Sequence, residues 1–295
     1  MNNGYYLERD NNDKKVIYNI IEKLEKQEDK NYIMKMNFNV EIENTDEIIK
    51  LKILKENKER CINNIILDIF DDIERDNNEY ILKRNENNIL KVINRDEMKK
   101  KLEKNVFKYF KNIQGYHEQV QKAIFLYKQI ILESNYIENL LTRDTSLSYL
   151  FFNIYEKRYS FDKKIEIERN IGNLLPELVP IILEFNIEKI ENNELKLVFN
   201  LKLNKRKISE NLLISKLRDF YQKNIYEKFE FQMKEEGYYI IDLKYNLIKE
   251  IYVEKEMLID YSKSLRKIKI NMIEEEREYE KDNIDNNVIN NFNQL

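Results

Sequence analysis

The chain has 295 residues, of which 36% are charged, and its 51 Lys and Arg nearly balance its 54 Asp and Glu to leave a formal net charge of −3. That balance leaves no global field to attract nucleic acid, so electrostatic recognition has to be local. Four glycines cannot build a Walker loop or a dinucleotide fingerprint, the single cysteine excludes an internal disulfide or a thiolate-rich metal cluster, and no apolar run approaches the roughly 20 residues of a spanning helix.

Residues 1–31 read as an N-terminal arm and a short helix. Met1 to Lys15 is polar and lacks the basic and apolar regions of a signal peptide. From Lys14 to Gln27, Val16, Ile17, Ile20, Ile21 and Leu24 stand at helical spacing.

Residues 32–113 read as a first sheet-and-helix module. Phe38-Asn39-Val40-Glu41 leads to the alternating run Ile49 to Lys55, an apolar helix from Ile62 to Ile73, a hairpin joining Tyr80-Ile81-Leu82 to Ile89 through Ile93, and a helix from Asp96. Alternation of period two marks a strand, because successive side chains face opposite sides of a sheet. The Asn-rich links suit tight turns, since Asn tolerates left-handed backbone.

Residues 114–180 read as a helical bridge and connector. The helix from Asp96 to Ile113 and a second from Tyr116 to Leu141, with Val120, Ala123, Tyr127 and Ile131 on one stripe, give two long amphipathic helices. Ser146 to Tyr155, rich in Leu147, Tyr149, Phe151 and Phe152, reads as a buried connector.

Residues 181–273 repeat the order of the first module. Phe185-Asn186-Ile187-Glu188 precedes Leu195 to Leu203, the helix Leu212 to Tyr221, a hairpin from Tyr239 to Ile251, and Glu256-Met257 where the first copy has Glu97-Met98. Residues 274–295 form a polar, Asn-rich tail expected to be disordered. The fold class implied is α+β: two related modules of antiparallel sheet plus helices, an internal duplication bridged by the two long helices.

The residues offer little catalytic chemistry. His117, the only histidine, and Cys61 lie far apart in sequence, and a nucleophile needs its base within hydrogen-bond reach. Asp242 and Lys244, two apart on an expected strand, would suit a Mg-dependent nuclease with a further acid such as Glu230 or Asp219. Asp68 and Asp72, four apart on a helix, read as a solvated face rather than a cation site.

Lys100, Lys104, Lys108 and Lys111 make a basic stripe after the first module's hairpins, and Arg266, Lys267 and Lys269 a comparable group in the second; on paired helices these would straddle phosphates of RNA or DNA. By exclusion, the chain reads as a non-catalytic cytoplasmic protein, without cofactor or membrane, that binds another macromolecule. A protein partner is expected, engaged by an adaptor or by an inhibitor of an enzyme such as a host nuclease; the nucleic-acid binder and the Mg-dependent nuclease are the alternatives. The 20 tyrosines fit an interface, and open sheet edges are where a partner strand would add. Oligomeric state is not legible.

Overall fold

The computed structural model describes residues 5–7, 14–26, 32–45, 48–60, 64–84, 90–112, 115–142, 145–152, 154–171, 178–224, 228–260 and 262–276. The first half contains β1 (Tyr5–Leu7), β2 (Lys14–Lys26), β3 (Tyr32–Asn44), β4 (Ile48–Arg60), α1 (Ile65–Asp76), β5 (Glu79–Arg84), β6 (Leu90–Val92), α2 (Arg95–Asn112) and α3 (His117–Tyr127). A π-helical turn (Lys128–Leu132), α4 (Tyr136–Thr142) and a 3-10 turn (Leu147–Tyr149) follow. The second half contains β7 (Lys157–Tyr159), β8 (Ile165–Ile171), β9 (Val179–Glu191), β10 (Glu194–Leu203), α5 (Glu210–Phe220), β11 (Phe231–Asp242), β12 (Leu247–Ile259) and β13 (Ser262–Glu276).

This corrects the α+β expectation. Strand accounts for 52% of the described residues and helix for 28%, in one 11-stranded antiparallel sheet and a small second one. The large sheet has the order β6-β5-β4-β3-β2-β13-β12-β11-β10-β9-β8, and β1 pairs with β7 in the other. β2 to β6 and β8 to β12 are both five-strand meanders with a helix after the third strand, but they lie side by side in one sheet, with β13 between them.

Four expectations failed. The helix expected from Lys14 is β2: Val16, Tyr18, Ile20 and Glu22 are buried in strict alternation, and Ile17 and Ile21 on the opposite face had filled in a helical spacing. The second long bridging helix is broken into α3, the π turn and α4. Lys157 to Ile171, inside the stretch read as a helical bridge and connector, supplies β7 and β8. Glu274 to Glu276, read as the start of a disordered tail, end β13 and pair with Ile17, Val16 and Lys15 of β2, while Cys61 and the rest of that tail, residues 277–295, lie outside the described residues.

Register and alternation give the large sheet two unlike faces. Val16, Tyr18 and Ile20 align with Ile42, Val40 and Phe38 on β3, and Ile20 with Ile270 on β13, continuing an apolar face through Ile251, Tyr239, Leu197 and Ile187. The connector after α4 packs on this face. Tyr239 donates to the Tyr149 carbonyl at 3.0 Å, and the Phe152 and Phe185 rings lie 6.0 Å apart. On the opposite face, lysines pair with acids, as in Lys50–Glu43, Lys249–Glu194 and Lys263–Glu256.

The short edge strand β6 is closed from the helical side. Glu138 of α4 accepts from the Val92 amide at 3.1 Å and binds the Arg95 guanidinium at 2.6 and 2.9 Å. No helix among the described residues is long and apolar enough to cross a membrane.

Candidate functional site

The sheet forks between β10 and β11. Their ladder runs from Glu194↔Asp242 to Asn200↔Glu236 and stops there. Beyond it, β10 continues beside β9 to Leu203↔Ile181, while β11 lies beside β12 from Phe231↔Ile259. Each prong therefore keeps one neighbour and leaves its other edge facing the gap.

The links explain where the sheet holds and where it parts. β9 and β10 are joined by Asn192 and Asn193, both at positive φ, in a turn tight enough to keep the strands paired to their tips. β10 and β11 are joined through α5, capped by Ser209, whose hydroxyl accepts from the Leu212 amide. A helical link sets no such tip, and the strands separate before reaching it.

Ladder parity decides which backbone groups face the gap. Asn204 donates to the Pro180 carbonyl on β9, and Leu243 donates to the Asn193 carbonyl across from β11. Alternate residues address alternate neighbours in an antiparallel sheet. Leu201 of β10, and Met233 and Glu235 of β11, thus turn their peptide groups into the fork.

The gap opens into a cleft of about 750 Å³, lined by the apolar residues Leu201, Leu203, Phe231 and Met233 and by Leu213 of α5. On the other side, buried Glu184 accepts from both Lys164 and Lys202. The hydrogen bond from Lys202 holds the Glu184 carboxyl below the usual carboxylate range against the opposing effect of burial.

Next to the fork, the apolar face carries a row of charges. Glu235, whose side chain is 0% exposed, accepts from the Tyr149 hydroxyl at 2.8 Å and from Arg169 at 3.5 Å. Lys255, its cross-strand partner, lies 4.0 Å from its second carboxylate oxygen. Lys255 aligns with Arg266 on β13, and Arg266 binds Glu22 on β2. Arg169 also donates to Ser148 at 2.7 Å and stands 4.7 Å from the Tyr149 ring centre. Charges this deep persist because they are paired, and together they tie the connector to the sheet at the fork.

The residues expected to carry function are scattered. Lys100, Lys104, Lys108 and Lys111 are exposed along α2, and Lys108 binds Asp76 at 2.8 Å. Arg266, Lys267 and Lys269 lie on a strand, where alternation separates them: Arg266 joins Glu22 on the apolar face, while Lys267 and Lys269 pair with Glu254 and Glu250 on the other.

Asp242 ends β11 and Lys244 lies in the turn beyond. The Asp242 carboxylate accepts from the Lys244 and Tyr245 amides at 2.8 and 3.2 Å, and the Lys244 ammonium sits 4.8 Å from the Tyr245 ring centre. Glu230 pairs with Lys228, and Asp219 is exposed on α5. His117 is exposed and stacks on Phe110 at 5.5 Å. Asp68 and Asp72 are exposed on α1, with Asp72 bound to Arg75. Among the described residues no group of three or more His, Cys, Asp or Glu is placed to hold a metal ion.

Sequence reasoning missed the fork, Glu235 and Glu184. A signal for Glu235 was present, since Phe231, Met233, Gly237 and Tyr239 alternate with it and assign it to the apolar face.

No family model matches the chain, and no curated protein matches it. A solved structure described by the lipid–protein interactions in lipovitellin is similar over 90% of this chain and 25% of its own, with a TM-score of 0.41 and 9% identity. The chain thus spans about a quarter of that protein's length. A likeness this loose assigns the chain neither fold nor ligand.

Proposed function

We propose that the protein is a non-catalytic binding protein that takes an extended segment of a protein partner into the fork between β10 and β11. The observation that carries this reading is the pair of open edges, with the Leu201 peptide group on one side and those of Met233 and Glu235 on the other. An added strand gains main-chain hydrogen bonds from such edges, and its alternating side chains supply specificity. Apolar residues of the segment would meet Leu201, Leu203, Phe231 and Met233, and its polar residues would point toward Lys202 and Gln232. The same capture serves an adaptor or an inhibitor of a partner enzyme. A single cysteine suits a reducing cytoplasm.

The test compares the protein with Leu201→Pro. Proline removes the first amide that β10 aims into the fork beyond the end of its ladder to β11, and leaves the ladder to β9, formed by the even-numbered residues, in place. Affinity capture from cell lysate after nuclease treatment should retain a stoichiometric protein with the wild type and lose it with Leu201→Pro. On adding that protein, hydrogen exchange at Leu201, Met233 and Glu235 should slow. Circular dichroism checks that the variant keeps its strand content. Capture indifferent to the proline, or unchanged exchange at those amides, rejects the fork as the site.

A further inference from the structure

Helix α2 presents a second surface that the fork does not use. Met98, Leu102 and Tyr109 are buried on its inner side. Lys100, Lys104, Phe107 and Lys111 follow one another at steps of four, three and four, which aligns them on one outer stripe about 16 Å long. Phe107 is 84% exposed, the highest value among the exposed large hydrophobic residues described, and it stands between cations.

The lysines of this stripe also differ from several of those on the sheet. Lys15, Lys50, Lys196, Lys249 and Lys263 each meet a carboxylate. Lys100, Lys104 and Lys111 form no ion pair among the described residues, although α2 itself carries Asp96, Glu97 and Glu103. The outer side of α2 therefore carries three lysines without ion pairs around one bare aromatic ring, with Glu103 one turn before that ring.

We infer that this stripe binds single-stranded nucleic acid, the lysines contacting phosphates and Phe107 stacking on a base. The chemistry separates this ligand from its rivals. Every base has a face on which a ring can stack once it leaves a duplex, and a charged track with an interleaved aromatic is how sequence-tolerant single-strand binding works. A membrane surface would require an apolar helix face turned outward, whereas the apolar face of α2 is turned inward and offers Phe107 alone. A duplex hides its base faces and would use the lysines without the ring.

The experiment is fluorescence anisotropy on the full chain with labelled 20-nucleotide dT and U strands, a 20-base-pair duplex, phosphatidylserine vesicles and polyglutamate. The single strands should bind best. Three phosphate contacts imply a loss of roughly 20-fold in affinity between 50 and 200 mM salt. Phe107→Ala should weaken binding by roughly 5- to 150-fold, and Lys100→Gln with Lys104→Gln should weaken it and flatten the salt slope. All three positions are exposed, so the fold is not at stake. Leu201→Pro should leave this binding unchanged, which separates the stripe from the fork. Absence of single-strand binding, indifference to Phe107→Ala, or preference for duplex, vesicles or polyglutamate would overturn the inference.

Discussion

Arg266 of β13 donates to Glu22 of β2 across 2.8 Å, with the two side chains 17% and 3% exposed. The pair lies on the apolar face, where β2 and β13 join the two meanders into one sheet. Removing one partner of a buried pair strands the other charge and costs about 3–5 kcal/mol. Its neighbour Lys267 points the other way and pairs with Glu254 in solvent, where such a pair is worth under about 1 kcal/mol. Urea unfolding of Arg266→Ala and Lys267→Ala should show this asymmetry. Equal losses would mean that the two side chains do not lie on opposite faces.

Gly237 is the next test of the sheet, because it sits one pair inside the end of the β10–β11 ladder, opposite Phe199. A Cβ at this position would stand 2.1 Å from the Tyr252 carbonyl oxygen and 2.8 Å from the Phe199 ring. Backbone cannot yield as a flexible side chain does, so Gly237→Ala should force β11 away from β12 and lose at least about 1–3 kcal/mol in unfolding. A neutral result would mean that the two strands are further apart than the structure places them.

Sequence pattern exposed strands where one face was apolar and the other charged, and it failed where that contrast was blurred. Leu195, Leu197 and Phe199 alternate cleanly with Lys196, Val198 and Asn200, so β10 was visible. In β2, Ile17 and Ile21 lie on the outer face and imitate a helix; in β8, Arg169 interrupts the apolar series because its buried charge is matched by Glu235, 66 residues away. Pairing at that distance leaves no local trace. Arg266, Lys267 and Lys269 looked like one basic group for the converse reason, since clustering in sequence ignores the two faces of a strand. The helix between β10 and β11 was readable from Leu212 to Tyr221, but the point at which their ladder ends depends on register, which apolar patterning alone did not reveal.

Glu184 makes the fork sensitive to acid. Its carboxyl is held below the ordinary value of 4.5, first by the hydrogen bond from Lys202. A depressed folded-state value means that the clamp contributes its full stability above the unfolded value and loses it as pH falls through the folded one. Wild type and Glu184→Gln should therefore differ most in stability above the ordinary carboxylate value of 4.5, and the gap should close only as pH falls below it and through the lowered folded-state value, where the wild-type carboxyl takes up its proton. A gap that stays constant down to acid would show that Lys202 and Lys164 do not act on the charge of Glu184.

Asp242 separates a turn from a metal site. Its Oδ1 accepts from two backbone amides beyond the strand end, the local bonding by which Asp closes a turn. Asp242→Ala should cost about 0.5–2 kcal/mol, the range for losing a capping carboxylate. Asp242→Asn should cost less because the acceptor survives, and Lys244→Ala should be close to neutral because its ammonium only rests near the Tyr245 ring. Mg²⁺ that bound the native state would raise the unfolding midpoint with concentration. The expected outcome is a midpoint independent of Mg²⁺ in wild type and variants alike. A rise that vanishes in both Asp242→Ala and Lys244→Ala would mean that the turn rearranges to hold a cation, and the nuclease chemistry first read from these two residues would then have a structural basis.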